Sequence, residues 1–261
     1  MSDISEAAPD LAAGRLRVFI SRNRQELGSA AAPRIAAEIR RLLAGREEIS
    51  ILFASAPSQN ETLAALAAEP DIPWNRITAF HLDEYLGLPE THPASFRRYL
   101  HDRLFRARAV GRFVGIGGES KEPEREIARY VDLLRAYPPA LALLGIGENG
   151  HLAFNDPAVC DFGDPVGMKV VRLDAQCREQ QVHDGAFSCV EEVPTHALTV
   201  TIPEILRVPK LFVMVPGTAK QKAVRETVEG PVSEACPASI LRNHASASLF
   251  LDGDSARLLR R

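Results

Sequence analysis

Apolar positions follow two rhythms along this chain. Short, mostly apolar runs recur at residues 16–20, 49–54, 77–82, 113–116, 141–144, 197–201, 211–215 and 249–252. Between most of them lie longer stretches with helical spacing. In residues 27–43, Ile35, Ile39, Leu42 and Leu43 fall at the i, i+4, i+7, i+8 positions that line one face of a helix. Residues 61–68, 95–105, 124–135 and 220–228 are expected to be helices as well. Strands that are apolar throughout and separated by helices belong to a mainly parallel sheet buried on both faces. The expected architecture is one open three-layer α/β/α domain, residues 15–261, with a Rossmann-like sheet. Residues 1–14 are acidic and Ala-rich and are expected to form a flexible tail. Pro138-Pro139 lies between a helix and a strand, as a turn does.

Composition narrows the function classes. Of 261 residues, 46% are hydrophobic and 25% charged, and the net charge of −3 gives no electrostatic footprint for nucleic acid. No run approaches the eighteen or so apolar residues of a membrane span. Cys160, Cys177, Cys189 and Cys236 form no Cys-x-x-Cys pair and no zinc spacing. Residues 1–14 also lack the basic start and apolar centre of a signal peptide, so a cytoplasmic protein is expected.

In an open α/β sheet the ligand crevice lies at the carboxyl ends of the strands. Four strand ends carry candidate chemistry. After Leu144 comes Gly145-Ile-Gly147-Glu-Asn149-Gly150-His151-Leu-Ala-Phe-Asn155-Asp156-Pro157. Its opening matches G-x-G-x-x-G, but Asn-Asp-Pro leaves barely one turn for the helix a dinucleotide site needs. Glycines there would instead let the backbone come close to a small ligand, with Asn149, His151 and Asp156 as the polar groups presented. A His with a carboxylate five residues on has the makings of an oriented general acid–base; singly, each of these residues is more often a turn cap or loop histidine. After Leu82 come Asp83-Glu84-Tyr85, where strand alternation sends the two acids to opposite sides. After Ala54 come Ser55-Ala56-Pro57-Ser58, which suit either an anion site at a helix start or a helix capped by Ser55. After Val215, Gly217 and Thr218 make a second candidate anion loop, with Lys220 as a point charge.

Together these segments resemble the glucosamine-6-phosphate deaminase/isomerase family, which shares its fold with 6-phosphogluconolactonases. The matching pieces are Phe80-His-Leu-Asp-Glu-Tyr-Leu-Gly-Leu88, Leu144 to Pro157, Val193-Pro-Thr-His-Ala-Leu-Thr199 and Gly217-Thr-Ala-Lys220 with Val228-Glu-Gly230. The resemblance implies Asp83 as the base that moves a proton between C2 and C1, and His151 as the ring-opening group assisted by Asn149 and Asp156. Lys220 and the loop Ser55, Ala56, Pro57, Ser58 would hold the phosphate of a sugar phosphate. No metal or organic cofactor is implied, and no metal-ligand spacing stands out. Family members exist as monomers and as larger assemblies, which leaves a homo-oligomer open.

Four positions depart from the family pattern. Ser55-Ala56-Pro57-Ser58 stands where a Thr-Gly-Gly-Thr-type loop is usual, and His183-Asp184 where a phosphate-binding arginine is expected. Asp156 is one methylene shorter than the usual Glu, and Asn149 replaces an Asp of some members. The alternatives are a lactonase-like hydrolase, a plain sugar-phosphate isomerase, or a sugar-phosphate-sensing module.

Overall fold

In the computed structural model, which describes residues 8–260, every one of those apolar runs becomes a strand with ends within two residues of the expected ones. In chain order the elements are β1 (Leu11–Ala13), β2 (Leu16–Ser21), α1 (Arg24–Ala44), β3 (Ile49–Phe53), α2 (Asn60–Ala68), β4 (Ile77–His81), β5 (Asp83–Tyr85) and α3 (Phe96–Leu100). There follow β6 (Arg112–Val114), α4 (Pro123–Ala136), β7 (Pro139–Leu144), β8 (Met168–Arg172), α5 (Ala175–His183), β9 (His196–Val200), α6 (Ile202–Leu206), β10 (Leu211–Val215), α7 (Gln221–Glu229) and β11 (Ala247–Asp252).

Eight strands form one sheet in the order β1-β2-β11-β10-β7-β3-β4-β6, parallel except for β1. Alternate side chains face opposite layers. Ile51, Phe53, Ala79, Leu141, Leu143 and Phe212 pack with Leu27, Ile35 and Ile39 of α1 and with Leu63 and Leu66 of α2. Leu52, Phe80, Ala142, Leu144, Val213 and Val215 pack with Tyr130, Val131 and Leu134 of α4 and Val224 of α7. Burial of a Leu- or Val-sized side chain contributes roughly 1.5–3 kcal/mol, so both faces must be apolar and the strands read as unbroken runs. The architecture is thus the expected open three-layer α/β/α fold with a mainly parallel sheet. Among the described residues no helix is long and apolar enough to cross a membrane.

Two expectations need correction. The tail assigned to residues 1–14 falls partly on residues 1–7, outside the described residues, but Leu11–Ala13 form β1 against β2, with Leu11 and Ala13 packed on the core. Residues 197–201 do not join the main sheet. They form β9, the centre of a second, antiparallel sheet in the order β5-β9-β8. This small sheet covers its own cluster around Tyr85, Phe154, Phe187 and Val193. The chain changes sheets at Leu82, whose N–H donates to the Phe53 carbonyl in the main sheet while its carbonyl accepts from Val200, the last residue of β9. That switch carries Asp83 off the end of β4 and over the crevice.

Candidate active site

A cavity of about 440 Å³ opens at the carboxyl ends of β3, β4, β7 and β10. Among its lining residues are Ser55, Ala56, Pro57, Ser58, Asp83, His151 and Lys220, drawn from all four strand ends. Asn149 and Asp156 do not line it; they stand behind His151. The meeting of Asp83 with the 145–157 loop has a specific cause. Asp83 pairs with Thr199 in the small sheet, and the Thr199 hydroxyl accepts a hydrogen bond from the Phe154 amide at 3.0 Å. Asn155 adds a side-chain bond to the Val200 carbonyl at 2.8 Å.

The glycines of that loop admit protein rather than ligand. A Cβ on Gly147 would lie 2.1 Å from the His151 ring, one on Gly145 would lie 3.0 Å from Ser58 Oγ, and one on Gly150 would lie 2.7 Å from Cys236 Sγ. The loop therefore folds back on itself, with Gly147 donating to the His151 carbonyl at 3.0 Å. Ala153, on the cavity wall, is held at φ 52°, a left-handed conformation that L side chains adopt at a cost in strain. No helix follows Gly150 before residue 175, which removes the packing a dinucleotide fingerprint requires.

His151 is fixed from behind. Its Nδ1 lies 2.8 Å from Asp156 Oδ1, and its backbone N–H donates to Asn149 Oδ1 at 3.1 Å. Asn149 in turn donates its amide to the same Asp156 oxygen at 2.9 Å. Burial pushes the Asp156 carboxyl up, but the contacts with His151 and Asn149 outweigh it and hold the group below its ordinary range. A charged Asp156 on Nδ1 leaves Nε2 as the ring nitrogen free to exchange protons in the cavity.

Asp83 has the opposite environment. Among the described residues its carboxylate accepts no hydrogen bond, and burial with the charge of Glu84 raises its pKa well above the usual carboxylate value. Glu84 points away, as strand alternation requires. It accepts from Ser95 Oγ at 2.8 Å, from the Phe96 and Arg97 amides at 3.1 and 3.2 Å, and from Arg97 Nε at 3.2 Å, so it caps α3 and anchors a buried ion pair. His81 is structural: its Nε2 accepts from the Ile116 amide at 2.7 Å, and burial pushes its pKa down to about 3.

The other end of the cavity is polar and loosely tied. Pro57 opens a single 3-10 turn, Pro57–Gln59, before α2. Ser55 is not a cap: its buried hydroxyl has no hydrogen-bond partner among the described residues. The Gln59 amide staples the turn to the Leu144 carbonyl at 3.1 Å and to the Met214 carbonyl at 3.5 Å, which brings the 55–58 loop beside the 145 and 217 loops. Gly217, at φ 96°, spends its amide on both oxygens of Asp252 at 3.0 Å. Lys220 is only 8% exposed and makes no ion pair among the described residues. Burial lowers its pKa, and the Asp184 and Glu148 carboxylates partly offset this.

Sequence reasoning missed Arg24, Tyr99, Arg103, Gln180 and Gln181, all on the cavity wall; Asp184, which stands where a phosphate-binding arginine is expected, lines the cavity as well. It also gave no sign of a metal-like cluster. His151, Asp156 and the buried Cys177 place three donor atoms within 4.8 Å of one another. Burial and the Asp156 carboxylate push the Cys177 thiol far up, whereas a metal takes the thiolate. The cluster has the character of a proton-holding network around Asp156, and a metal would have to displace that proton.

Comparison with known proteins gives a consistent picture. Residues 22–155 match the family model for glucosamine-6-phosphate isomerases/6-phosphogluconolactonase. A glucosamine-6-phosphate deaminase of Listeria monocytogenes is 36% identical over 212 residues, covering 81% of this chain and 88% of the relative. One from Streptococcus sanguinis is 32% identical over 220 residues, covering 84% and 90%. Among solved structures, a monomeric glucosamine-6-phosphate deaminase aligns with a TM-score of 0.85 at 30% identity, over 93% of this chain and 99% of that one. The 6-phosphogluconolactonase of Trypanosoma brucei aligns at 0.76 with 18% identity, over 93% and 98%, a likeness of fold alone.

Proposed function

The chain belongs to the glucosamine-6-phosphate isomerase/6-phosphogluconolactonase family, and from that premise we propose that it converts glucosamine 6-phosphate and water to fructose 6-phosphate and ammonia. The observation that carries this reading is that Asp83 and His151, distant in sequence, face one cavity of about 440 Å³. His151 Nε2 takes the proton of the sugar's O1 hydroxyl and delivers one to the ring oxygen, which opens the pyranose and makes C1 a carbonyl. Asp156 keeps the imidazole in the tautomer this exchange needs. The C2 proton is then acidic, and Asp83 removes it and returns it to C1. One proton of the C2 ammonium passes to O1, which becomes a hydroxyl, and the nitrogen is left as an iminium at C2; water adds to that carbon and nitrogen departs as ammonium.

Desolvation suits Asp83 to this work, since a carboxylate with a raised pKa is a stronger base. The substrate's C2 ammonium, seated beside it, favours the charged form at the moment it is needed. Lys220, the Ser55 hydroxyl and the amides of Ser55, Ala56 and Ser58 take the phosphate in this reading, Pro57 having no N–H to give. The buried, unpartnered Ser55 hydroxyl and the unpaired Lys220 ammonium support that assignment. The four free cysteines fit a cytoplasmic enzyme. The test is ammonia release from glucosamine 6-phosphate by the purified protein, with 6-phosphogluconolactone hydrolysis measured in parallel. Turnover of the lactone alone overturns the deaminase reading, and sugar-phosphate binding without any turnover makes the protein a sensor.

A further inference from the structure

Among the described residues, three cations line the cavity: Arg24, Arg103 and Lys220. Arg24 is already engaged, with Nε 2.9 Å from Glu61 and a second nitrogen donating to the Pro57 carbonyl at 2.9 Å. Lys220 is buried on the β10 side of the 55–58 loop. Arg103 is the remaining charge. Its neighbours Arg98 and Arg106 are both tied to Asp102, whereas Arg103 has no hydrogen bond or ion pair among the described residues.

The placement of Arg103 is built rather than incidental. It sits in a π-helical turn, His101–Phe105, that continues α3. Such turns widen a helix locally and recur at functional sites. The next residue, Leu104, is fully buried against the α1 and α2 layer and pins the turn. Four residues earlier, the Tyr99 hydroxyl donates to the Ala56 carbonyl at 2.7 Å and lies 2.8 Å from Asn60 Oδ1. That bond joins the helix carrying Arg103 to the 55–58 loop. The Arg103 charge is close enough to the buried Tyr99 hydroxyl to oppose the rise that burial gives its pKa. Lys220 and Arg103 thus reach the cavity beside this loop from two different elements, the turn after β10 and the helix that follows β5.

We propose that Arg103 is a specificity-determining residue that closes on the phosphate of the bound sugar together with Lys220, each from its own element. The proposal rests on the sugar-phosphate reading above and deepens it. It also accounts for the absence of a cation at positions 183 and 184, where His183 leans toward Glu148 at 3.8 Å and Asp184 puts a carboxylate on the wall. The guanidinium offers two parallel N–H donors to a phosphate, which a lysine does not.

The experiment compares Arg103→Gln and Arg103→Lys with the parent enzyme. A charge-assisted contact contributes about 10–100-fold, so Arg103→Gln is expected to raise KM for glucosamine 6-phosphate by that factor with kcat within about twofold. Arg103→Lys recovers part of the loss. Since the side chain is exposed and unpaired, circular dichroism and Tm should match the parent. Calorimetric titration with inorganic phosphate is the second arm, and Arg103→Gln should weaken phosphate binding about tenfold or more. An active parent whose KM and phosphate affinity survive Arg103→Gln unchanged overturns the proposal. A parent that binds phosphate through Arg103 yet releases no ammonia overturns the deaminase reading and leaves Arg103 as the anion contact.

Discussion

The two ends of the cleft are held in different ways. Around His151 the polar groups lock one another: Asp156 holds Nδ1, Asn149 holds Asp156 and the His151 amide, and Gly147 lets the ring pack where any Cβ would collide with it. At the other end the 55–58 loop is tied by backbone and amide bonds, while the groups proposed to meet the phosphate, Ser55 Oγ, Lys220 and Arg103, have no hydrogen bond or ion pair among the described residues. Proton transfer needs reacting atoms placed within a few tenths of an ångström, so its residues are pre-organised. Anion binding tolerates rearrangement, because charge acts over several ångströms and different elements can supply it. This contrast fits the departures from the family pattern: at Asn149 and Asp156 one polar group replaces another of similar kind, while the 55–58 loop has lost both glycines that the resemblance implies.

The largest effect should come from breaking the pre-organised end. Asp83→Asn removes the proposed base and keeps the shape, and kcat is expected to fall about 10²–10⁴-fold with KM little changed. The same change should stabilise the protein at neutral pH. Burial raises the Asp83 pKa in the folded state, so between its ordinary and its raised value the unfolded chain releases a proton that the folded chain retains. Stability therefore drops as pH rises through that window and is fully present only below it. An Asn has no such cost, and Tm at pH 7 is expected to rise by about 2–4 °C, the shift that ~1 kcal/mol gives a domain of this size. Steady-state kinetics and a thermal melt on one preparation read both. Full kcat in the variant would remove Asp83 from the mechanism.

A second measurement sharpens the contrast between the two carboxylates of that end. Asp83 is held above its ordinary range and Asp156 below it. The acid limb of kcat/KM should thus belong to Asp83 and lie at higher pH than an ordinary carboxylate would give, with activity lost as pH falls through it. Asp156 stays charged across that range and contributes no limb. In Glu84→Gln the neighbouring negative charge is gone, so the limb should move to lower pH. A limb that stays in place in that variant would separate it from Asp83.

The same division governs what could be read from the chain alone. The main sheet was legible because burial on both faces leaves no polar position in β3, β7 or β10 apart from Ser50, which is itself buried. The small sheet was not: β5 is three residues, two of them acidic, and β8 alternates buried Met168 and Val171 with exposed positions. α5 carries Arg178, Glu179, Gln180 and Gln181 with almost no apolar periodicity, so Gln180 and Gln181 were not placed on the cavity. Asp83, His151, Asn149 and Asp156 stood out as candidates because they follow strand ends, and the fold brings Asp83 and His151 to one cavity with Asn149 and Asp156 behind His151. Arg103 is one of 31 Lys and Arg residues on a helix that appears as a solvated face, and only the fold shows which of them turns toward the loop.

The smallest expected effect tests the tolerant end. Asp184 acts on both Lys220 and Tyr99, so its carboxylate faces the space where the phosphate would sit and repels it. In Asp184→Asn, KM for the sugar phosphate should fall about two- to fivefold at low salt, the scale of a partly exposed charge, with kcat unchanged. The gain should shrink at higher ionic strength as screening takes over. It should shrink again as pH rises, because removing the carboxylate also removes one of the charges that keep the buried Lys220 protonated. Two opposing effects of one side chain thus separate by pH. A KM that rises on Asp184→Asn at every pH and salt would instead assign this carboxylate to the substrate's amine or hydroxyls, and would place the phosphate elsewhere.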